Sequence, residues 1–375
     1  MVATLRIVLD QLVTSAEPDL AEASRELARA LVIAAPAGCE VEAIVPAGGE
    51  TDPDDAVPGL AGVRRTALPR RELAAALQLG VGTGIGGGMI HAPTLFAPLV
   101  RHDRVHDNDQ TVVTVWDLRP WESADELPRS TAAWHRAMLK RAVKHADAVV
   151  VPTHALGERL GQIAPLGDRI RVIAGAAPQG FAVPGDEIGR RRMLDLPEGF
   201  VLLTGGPLPS DALDIGLTAI AASGVDLPVV VIGVDDGQEP AVAGLAAAAG
   251  IPERRLHVRG ALDPADRAAV FGAALAFIAP SRRSAFPWRV VDALALGVPV
   301  IAADSAVHRE VIVDGGVLVV GSDAEAVAAG LGDALGDALG STAAADRLAV
   351  LAGDRGRSFS WRESADRVWQ LHAEL

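Results

Sequence analysis

The sequence is poor in several residue types that often carry chemistry. Its 375 residues include no tyrosine, two lysines, one asparagine and one cysteine, Cys39. A single cysteine excludes an internal disulfide framework and any cysteine-rich metal site. It is also consistent with a reducing compartment.

Basic residues are scarce relative to acidic ones. Lys and Arg total 34 against 48 Asp and Glu, which gives a formal net charge of −14. Binding to duplex nucleic acid depends on neutralising phosphates, so this charge argues against a nucleic-acid partner. No apolar run reaches the roughly 18 residues that a transmembrane helix needs. The first apolar stretch contains Asp10 and has no basic segment before it, which is typical of a strand rather than a signal peptide. We therefore predict a cytoplasmic protein.

Short apolar runs alternate with segments of helical periodicity along the chain, which is typical of parallel α/β layers. The pattern is interrupted once, by a stretch rich in proline and glycine, and then restarts. We predict two Rossmann-like domains with a cleft between them. Their bounds are residues 1–178 and 195–355, with a linker at 179–194 and a helical tail at 356–375. Strands are predicted at residues 5–9, 41–45, 89–91, 112–115, 148–151 and 169–173, and then at 200–203, 228–232, 256–258, 276–278 and 298–302.

Two polar residues of the first half lie at the carboxyl ends of predicted strands, where such sheets bind ligands. His91 ends one strand and Asp117 follows the next. Each has a functional interpretation, as an acid or base or as a group that orients a substrate. Each also has a structural one, as a buried histidine or a turn aspartate. The G-x-G-x-x-G string at Gly82, Gly84 and Gly87 precedes a strand instead of opening a helix, so it predicts a surface loop.

Cations are concentrated at two places. A stripe at every fourth position of one predicted helix consists of Arg136, Lys140 and Lys144. It is typical of a solvated helix face, and it also permits peripheral contact with an anionic membrane surface, such as the inner membrane face. The second group surrounds a predicted helix start after the strand at 276–278 and consists of Arg282, Arg283 and Arg289. The amino end of a helix attracts anions, so this group predicts a phosphate-binding site.

Sequence blocks spread over nearly the whole chain carry a resemblance to one family. They lie at residues 25–31, 91–93, 116–118, 146–153, 258–260, 271–274, 280–281, 286, 292–293, 297–299 and 310–311. Together they resemble the retaining glycosyltransferases of the large family-4 type, which transfer a sugar from a nucleotide donor. The resemblance implies the GT-B fold, with an acceptor domain first, a nucleotide-sugar domain second, and a C-terminal helix that packs on the first domain. It implies no metal and no resident cofactor, since the nucleotide sugar is a co-substrate.

The resemblance also assigns roles to single residues. In the catalytic set, Asp117 and His91 would face the acceptor, and Ser284 stands where the family has an acid that bonds the donor sugar. The donor-binding set comprises Gly206, Arg282, Arg283, Arg289, Asp292 and Glu310. In this set the arginines would hold the diphosphate, Asp292 would hold the ribose and Glu310 would line the cleft.

Several positions depart from the family's pattern. The Arg-Lys pair that grips the diphosphate aligns with Asp211-Ala212, and the histidine expected before Asp117 is Trp116. The loop before the first long helix, at residues 17–22, is acidic and lacks glycine. Pro287 replaces a glycine and has no N–H to offer a phosphate.

Two hypotheses about function follow from this pattern. One is an active glycosyltransferase with a rewired donor site, which passes a sugar to a glycan or a lipid-linked acceptor with retention. The alternative is a non-catalytic homologue that keeps the scaffold and serves as a binding partner or regulatory subunit.

Overall fold

A computed structural model describes residues 2–13, 17–48, 52–81, 85, 87–104 and 106–375. Gly82 and Gly84 of the predicted glycine-rich loop lie outside these residues. The chain divides into two compact units. The first comprises Met1–Pro178, Ser284–Phe286 and Ser360–Leu375, and the second comprises Gln179–Arg283 and Pro287–Phe359.

The first unit is built on a sheet of seven parallel strands among the described residues. These are β1 (Ala3–Val8), β2 (Cys39–Ala47), β3 (Gly62–Pro69), β4 (Met89–Ala92), β5 (Gln110–Thr114), β6 (Ala148–Val151) and β7 (Ile170–Val172). Their order is β3-β2-β1-β4-β5-β6-β7, so the order reverses between β1 and β4. In the register, Leu5 of β1 lies opposite Val41 on one side and Met89 on the other. The central strands are buried on both faces, as expected for a sheet covered on both sides.

The second unit repeats this plan with six parallel strands. These are β8 (Phe200–Thr204), β9 (Val229–Ile232), β10 (Leu256–Val258), β11 (Ala274–Ala279), β12 (Val300–Ala303) and β13 (Gly316–Val319). Their order is β10-β9-β8-β11-β12-β13, and the reversal falls between β8 and β11. The eleven predicted strands are confirmed; the edge strands β3 and β13 were not predicted.

Helices connect the strands and cover the sheets. In chain order they are α1 (Asp10–Val13), α2 (Pro18–Ile33), α3 (Pro53–Ala56), α4 (Arg70–Leu79), α5 (Arg119–Glu122), α6 (Arg129–His145), α7 (His154–Ile163), α8 (Glu187–Met193), α9 (Leu213–Ala222), α10 (Glu239–Ala248), α11 (Pro264–Ala273), α12 (Trp288–Ala295), α13 (Ala306–Ile312), α14 (Ala324–Leu339), α15 (Thr342–Gly356) and α16 (Trp361–Glu374).

The last helix, α16, belongs to the first unit, where it packs against α2. Its buried side chains recur every three or four residues, at Trp361, Ala365, Val368 and Leu371, which gives it one apolar face. The hydroxyl of Ser364 donates to the carbonyl of Ala174 at 2.8 Å. Hydrophobic burial and specific hydrogen bonds therefore both hold this helix in the first unit.

Candidate functional site

The reversal of strand order in the second unit brings two loops together. In open α/β sheets, ligands bind at the carboxyl ends of the strands on either side of such a reversal. The loop after β8 and the loop after β11 meet there, since the Ser281 hydroxyl donates to the carbonyl of Ser210 at 2.7 Å. We therefore take these two loops as the candidate donor site.

The carboxylate of Asp211 accepts hydrogen bonds from two groups that were predicted to bind the donor. One oxygen accepts from the backbone N–H of Gly206 at 2.9 Å, and the other accepts from Arg283 Nη1 at 2.9 Å. Gly205 has φ +106°, and a Cβ there would lie 3.2 Å from the Asp211 side chain, so the loop requires glycine. Two predicted donor contacts, Gly206 and Arg283, are thus bound to the chain's own anion.

Asp292 is likewise bound to arginines. Its side chain is buried, with 2% of the residue exposed. Arg267 Nε lies 2.9 Å from its Oδ2, and Arg289, three residues earlier on α12, pairs with the same oxygen. In this conformation Asp292 orients two guanidinium groups, and its contact with a ribose stays a prediction.

Arg282 is the exposed cation of the predicted arginine group. Its Nη2 donates to the carbonyl of Gly321 at 3.1 Å. The nearby Asp304 has a lowered pKa chiefly because Arg309 hydrogen-bonds to it, with a smaller contribution from the charge of Arg282. Glu310 lies half-buried on α13, and its carbonyl accepts from Arg355 at 2.8 Å.

The segment Ser284–Phe286 belongs to the first unit. It forms a short antiparallel bridge, in which Leu118 N–H donates to the Ser284 carbonyl and Phe286 N–H donates to the Trp116 carbonyl, each at 2.9 Å. The rings of Trp116 and Phe286 lie 5.7 Å apart. Ser284, predicted to contact the donor sugar, is therefore fixed through its backbone to the loop that carries Asp117.

Trp116 and Asp117 have structural contacts of their own. The Trp116 indole is buried and donates to the carbonyl of Pro93 at 2.8 Å, where the family pattern has a histidine. Asp117 is half-buried and its Oδ1 accepts from the backbone N–H of Arg119 at 2.5 Å. This is the turn contact that the sequence left open as an alternative, and it leaves part of the carboxylate accessible.

His91 has no exposed surface. Its Nδ1 lies 3.4 Å from Nε2 of His372 on α16, and Nδ1 of His372 lies 2.9 Å from Oε1 of Gln110. Burial, with a smaller effect of His372, lowers the pKa of His91 well below its ordinary value. An acceptor cannot touch an enclosed ring, so the structure places His91 in a buried histidine pair and not among residues that face an acceptor.

One cluster of the first unit was missed in the sequence. Asp10 begins α1 directly after β1, beside the reversal between β1 and β4, and 1% of it is exposed. Arg70, the first residue of α4, lies with Nη2 2.8 Å and Nε 3.0 Å from Asp10 Oδ2. Burial raises the pKa of Asp10 to about 6, although Arg70 opposes the shift. The available signal was an acidic residue placed directly after a buried strand.

The described residues contain no group of three or more His, Cys, Asp or Glu side chains that could hold a metal ion. Among those same residues, no helix has the length and apolar character that crossing a membrane requires.

Comparison with solved structures identifies the architecture. Sucrose-phosphate synthase from Thermosynechococcus elongatus matches with a TM-score of 0.72 and 21% identity, over 99% of this chain and 98% of that one. Anabaena HepE in complex with UDP and glucose matches with a TM-score of 0.71 and 14% identity, over 100% of both chains. WaaG, a glycosyltransferase involved in lipopolysaccharide biosynthesis, matches with a TM-score of 0.63 and 15% identity over 98% of both chains.

The chain has the GT-B fold. The prediction of two Rossmann-like α/β domains of this class is confirmed. Within the GT-B chain, residues 199–337 match the family described as glycosyl transferases group 1. This range contains the whole second sheet and the loops that carry Asp211 and Arg282. The search of curated protein sequences found no match.

Proposed function

We propose that this GT-B protein is a retaining glycosyltransferase that passes a sugar from a nucleotide donor to a glycan or a lipid-linked acceptor. The observation that carries the proposal is the match of residues 199–337 to the group 1 glycosyltransferases, because that range contains the candidate donor site. The fold shared with HepE, which was solved with UDP and glucose, supports a nucleotide sugar as the donor.

In the proposed reaction, the oxygen of an acceptor hydroxyl bonds to the anomeric carbon as the bond from that carbon to the diphosphate oxygen breaks, and the hydroxyl proton passes to the leaving diphosphate. Negative charge then develops on the leaving diphosphate, where fixed cations stabilise the transition state most effectively. Arg282 is the exposed arginine of the predicted group and takes this role first. Arg283 contributes once the diphosphate displaces Asp211 from it.

Nucleotide-sugar binding tests the proposal directly. UDP-glucose and GDP-mannose are titrated into the full chain while its melting temperature and any sugar transfer or donor hydrolysis are measured. A ligand at 100 times its dissociation constant adds about 2.7 kcal/mol to the free energy of unfolding, so binding is readily seen. We expect a shift with at least one donor, followed by turnover.

The matched variants are Arg282→Gln and Arg254→Gln. Both arginines are exposed, but Arg254 lies in the segment that enters β10, at the opposite end of the strands from the site. We expect donor affinity to fall about tenfold in Arg282→Gln and to stay unchanged in Arg254→Gln. No shift with either nucleotide sugar at millimolar concentration would contradict the proposed function.

The alternative function, a non-catalytic partner or regulatory subunit, is favoured by the internal ion pairs. Asp211 and Asp292 neutralise arginines that a donor would otherwise use. A hydrogen bond to a charged group contributes about 1.5–3 kcal/mol, so displacing one weakens donor binding by roughly 10- to 100-fold. Donor binding without turnover of any acceptor or water would support this alternative.

We also propose a peripheral location on the cytoplasmic side of a membrane. The exposed residues Arg136, Lys140 and Lys144 follow one another at every fourth position of α6. Each basic residue near an anionic bilayer contributes about 1 kcal/mol to binding. We expect co-sedimentation with vesicles containing 30% phosphatidylserine and none with phosphatidylcholine alone. The double variant Lys140→Gln/Lys144→Gln should lose this binding; equal sedimentation of parent and variant would refute the proposal.

A further inference from the structure

Arg70 is held in a fixed orientation by groups from two other segments, α1 and the loop after β4. Two of its nitrogens donate to one oxygen of Asp10, at 2.8 and 3.0 Å. Its guanidinium carbon lies 5.4 Å from the centroid of the Phe96 ring, over which it stacks. Asp10 also accepts from Gln11 at 3.2 Å. The guanidinium is therefore positioned before any ligand arrives.

The place of this cluster in the sheet is the one where α/β sheets bind ligands. Asp10 follows β1, and Thr94 and Phe96 follow β4, the two strands between which the order reverses. Arg70 follows β3 at the same end of the parallel strands. A crevice outside the carboxyl ends of the strands at such a reversal is the general ligand site of the architecture.

The ion pair with Asp10 leaves part of the Arg70 guanidinium available for a ligand. The Arg70 side chain is 25% exposed, whereas that of Asp10 is 1% exposed. Nε and Nη2 of Arg70 contact Asp10, whereas Nη1 has no hydrogen-bond partner among the described residues. An arginine presents a planar set of five donors that matches phosphate and carboxylate oxygens. One part of Arg70 is thus anchored and the other part faces outward.

A purely structural role explains this arrangement poorly. Removing a buried carboxylate from water costs more than an ion pair usually returns, and apolar residues of similar size would often stabilise the fold as well. The buried partner does orient the guanidinium, and such orientation raises the affinity of a binding group because less freedom is lost on binding.

We propose that Arg70 recognises an anionic group, a phosphate or a carboxylate, on the sugar acceptor, and that Asp10 is its positioning residue. The assignment to an acceptor rests on the proposed glycosyltransferase function. The anion site itself does not, because it is built in the first unit from residues of α1, α4 and the loop after β4 and can be measured without a donor.

The test is binding of defined sugars to the full chain by calorimetry, with no nucleotide present. The probes are glucose 6-phosphate, glucuronate and glucose. We expect glucose 6-phosphate or glucuronate to bind at least tenfold more tightly than glucose, and the tighter of the two identifies the anion. Equal binding of all three sugars, or none, would overturn the proposal.

The variants are chosen so that no buried charge is left alone. Arg70→Gln/Asp10→Asn removes both members of the ion pair, and Arg71→Gln, at the exposed neighbouring position on α4, is the matched control. We expect the double variant to lose at least tenfold in affinity for the anionic sugar while the control keeps it. Unchanged affinity in the double variant would show that Arg70 contributes only to the fold.

Two single variants separate positioning from charge. Asp10→Asn keeps an oxygen that accepts from the guanidinium, so it should bind the anionic sugar at least as tightly as the parent. Asp10→Leu removes that oxygen and should weaken binding about tenfold although Arg70 is intact. If both variants bind like the parent, Asp10 has no positioning role.

A parallel titration with UDP-glucose distinguishes this inference from the proposed function. A UDP-glucose shift that persists while no anionic sugar binds would refute the Arg70 site and leave the donor site standing. Binding of an anionic sugar without any nucleotide-sugar shift would retain the Arg70 site and refute the glycosyltransferase assignment.

Discussion

At the scale of single residues, three aspartates are engaged with arginines of the same unit. Asp211, Asp292 and Asp10 each hold an arginine in place. The sequence placed Arg282 and Arg283 between a strand and a helix, and the structure has them in the loop between β11 and α12. The sequence could not predict that Asp211 reaches back to Gly206, since the turn geometry that brings the two together is set by the folded loop.

The Asp211 contact gives a direct prediction. Asp211→Asn retains the shape and a hydrogen-bonding oxygen but removes the negative charge from the Gly206 loop. We expect the affinity for UDP-glucose to rise about tenfold, because the repulsion between this carboxylate and the donor diphosphate is removed. A tenfold rise corresponds to about 1.4 kcal/mol of binding free energy. The measurement is calorimetric titration, with the exposed Asp226→Asn as control. Weaker binding in Asp211→Asn would show that this carboxylate helps to bind the donor.

The buried histidine pair predicts a loss of stability in acid. Burial lowers the pKa of His372 from 6.5 to about 4. The unfolded chain binds a proton near pH 6.5 and the folded chain does not, so stability is complete above pH 6.5 and falls as the pH approaches 4. The contribution of His372 is up to about 3 kcal/mol.

Urea unfolding at pH 7.5, 5.5 and 4.5 checks this prediction. His372→Gln should lose less stability between pH 7.5 and 4.5 than the parent, and the exposed His106→Gln should behave like the parent. Asp10, whose raised pKa of about 6 favours the folded state in acid, acts in the opposite direction in all three proteins. The difference between the two variants therefore isolates the buried pair.

At the scale of secondary-structure elements, the sequence predicted every central strand and two of the four edge strands, β7 and β10, and missed the edge strands β3 and β13. The central strands are runs of Val, Ile, Leu and Ala that are buried on both faces, as in β8 and β9. The edge strand β3 contains Arg64 and Arg65, both exposed, and so lacks a continuous apolar run. The other missed edge strand, β13, has four residues and begins with glycine. Neither missed strand is a continuous buried run like β8 or β9, so the sequence signal was absent.

Helix α16 gives the prediction at this scale. Trp369→Ala removes a buried indole that donates to the carbonyl of Leu31 at 3.1 Å. Replacing a buried Trp with Ala typically costs about 3–5 kcal/mol, so we expect a loss of that size in the free energy of unfolding. The exposed neighbour Gln370→Ala is the control. Equal stability of the two variants would mean that α16 contributes little to the first unit.

At the scale of the whole molecule, the first unit is assembled from three separate stretches of chain. A fragment of residues 1–178 lacks both Ser284–Phe286 and α16. We expect it to unfold without a cooperative transition, because the apolar surface that α16 covers is exposed to water. Adding a peptide of residues 360–375 should restore part of the transition, and the same peptide with Trp369→Ala should not. A cooperative transition in the fragment alone would contradict this expectation.

Helix α16 belongs to the first unit but is made after the second unit, which has a consequence for synthesis on the ribosome. About 180 residues separate Pro178 from α16. At roughly 5–20 residues per second, translation of that stretch takes about 10–40 s. During this interval the seven-stranded sheet exists without the helix that covers it, while the second unit emerges and folds. The newly made first unit therefore presents an apolar surface to chaperones until α16 has been made.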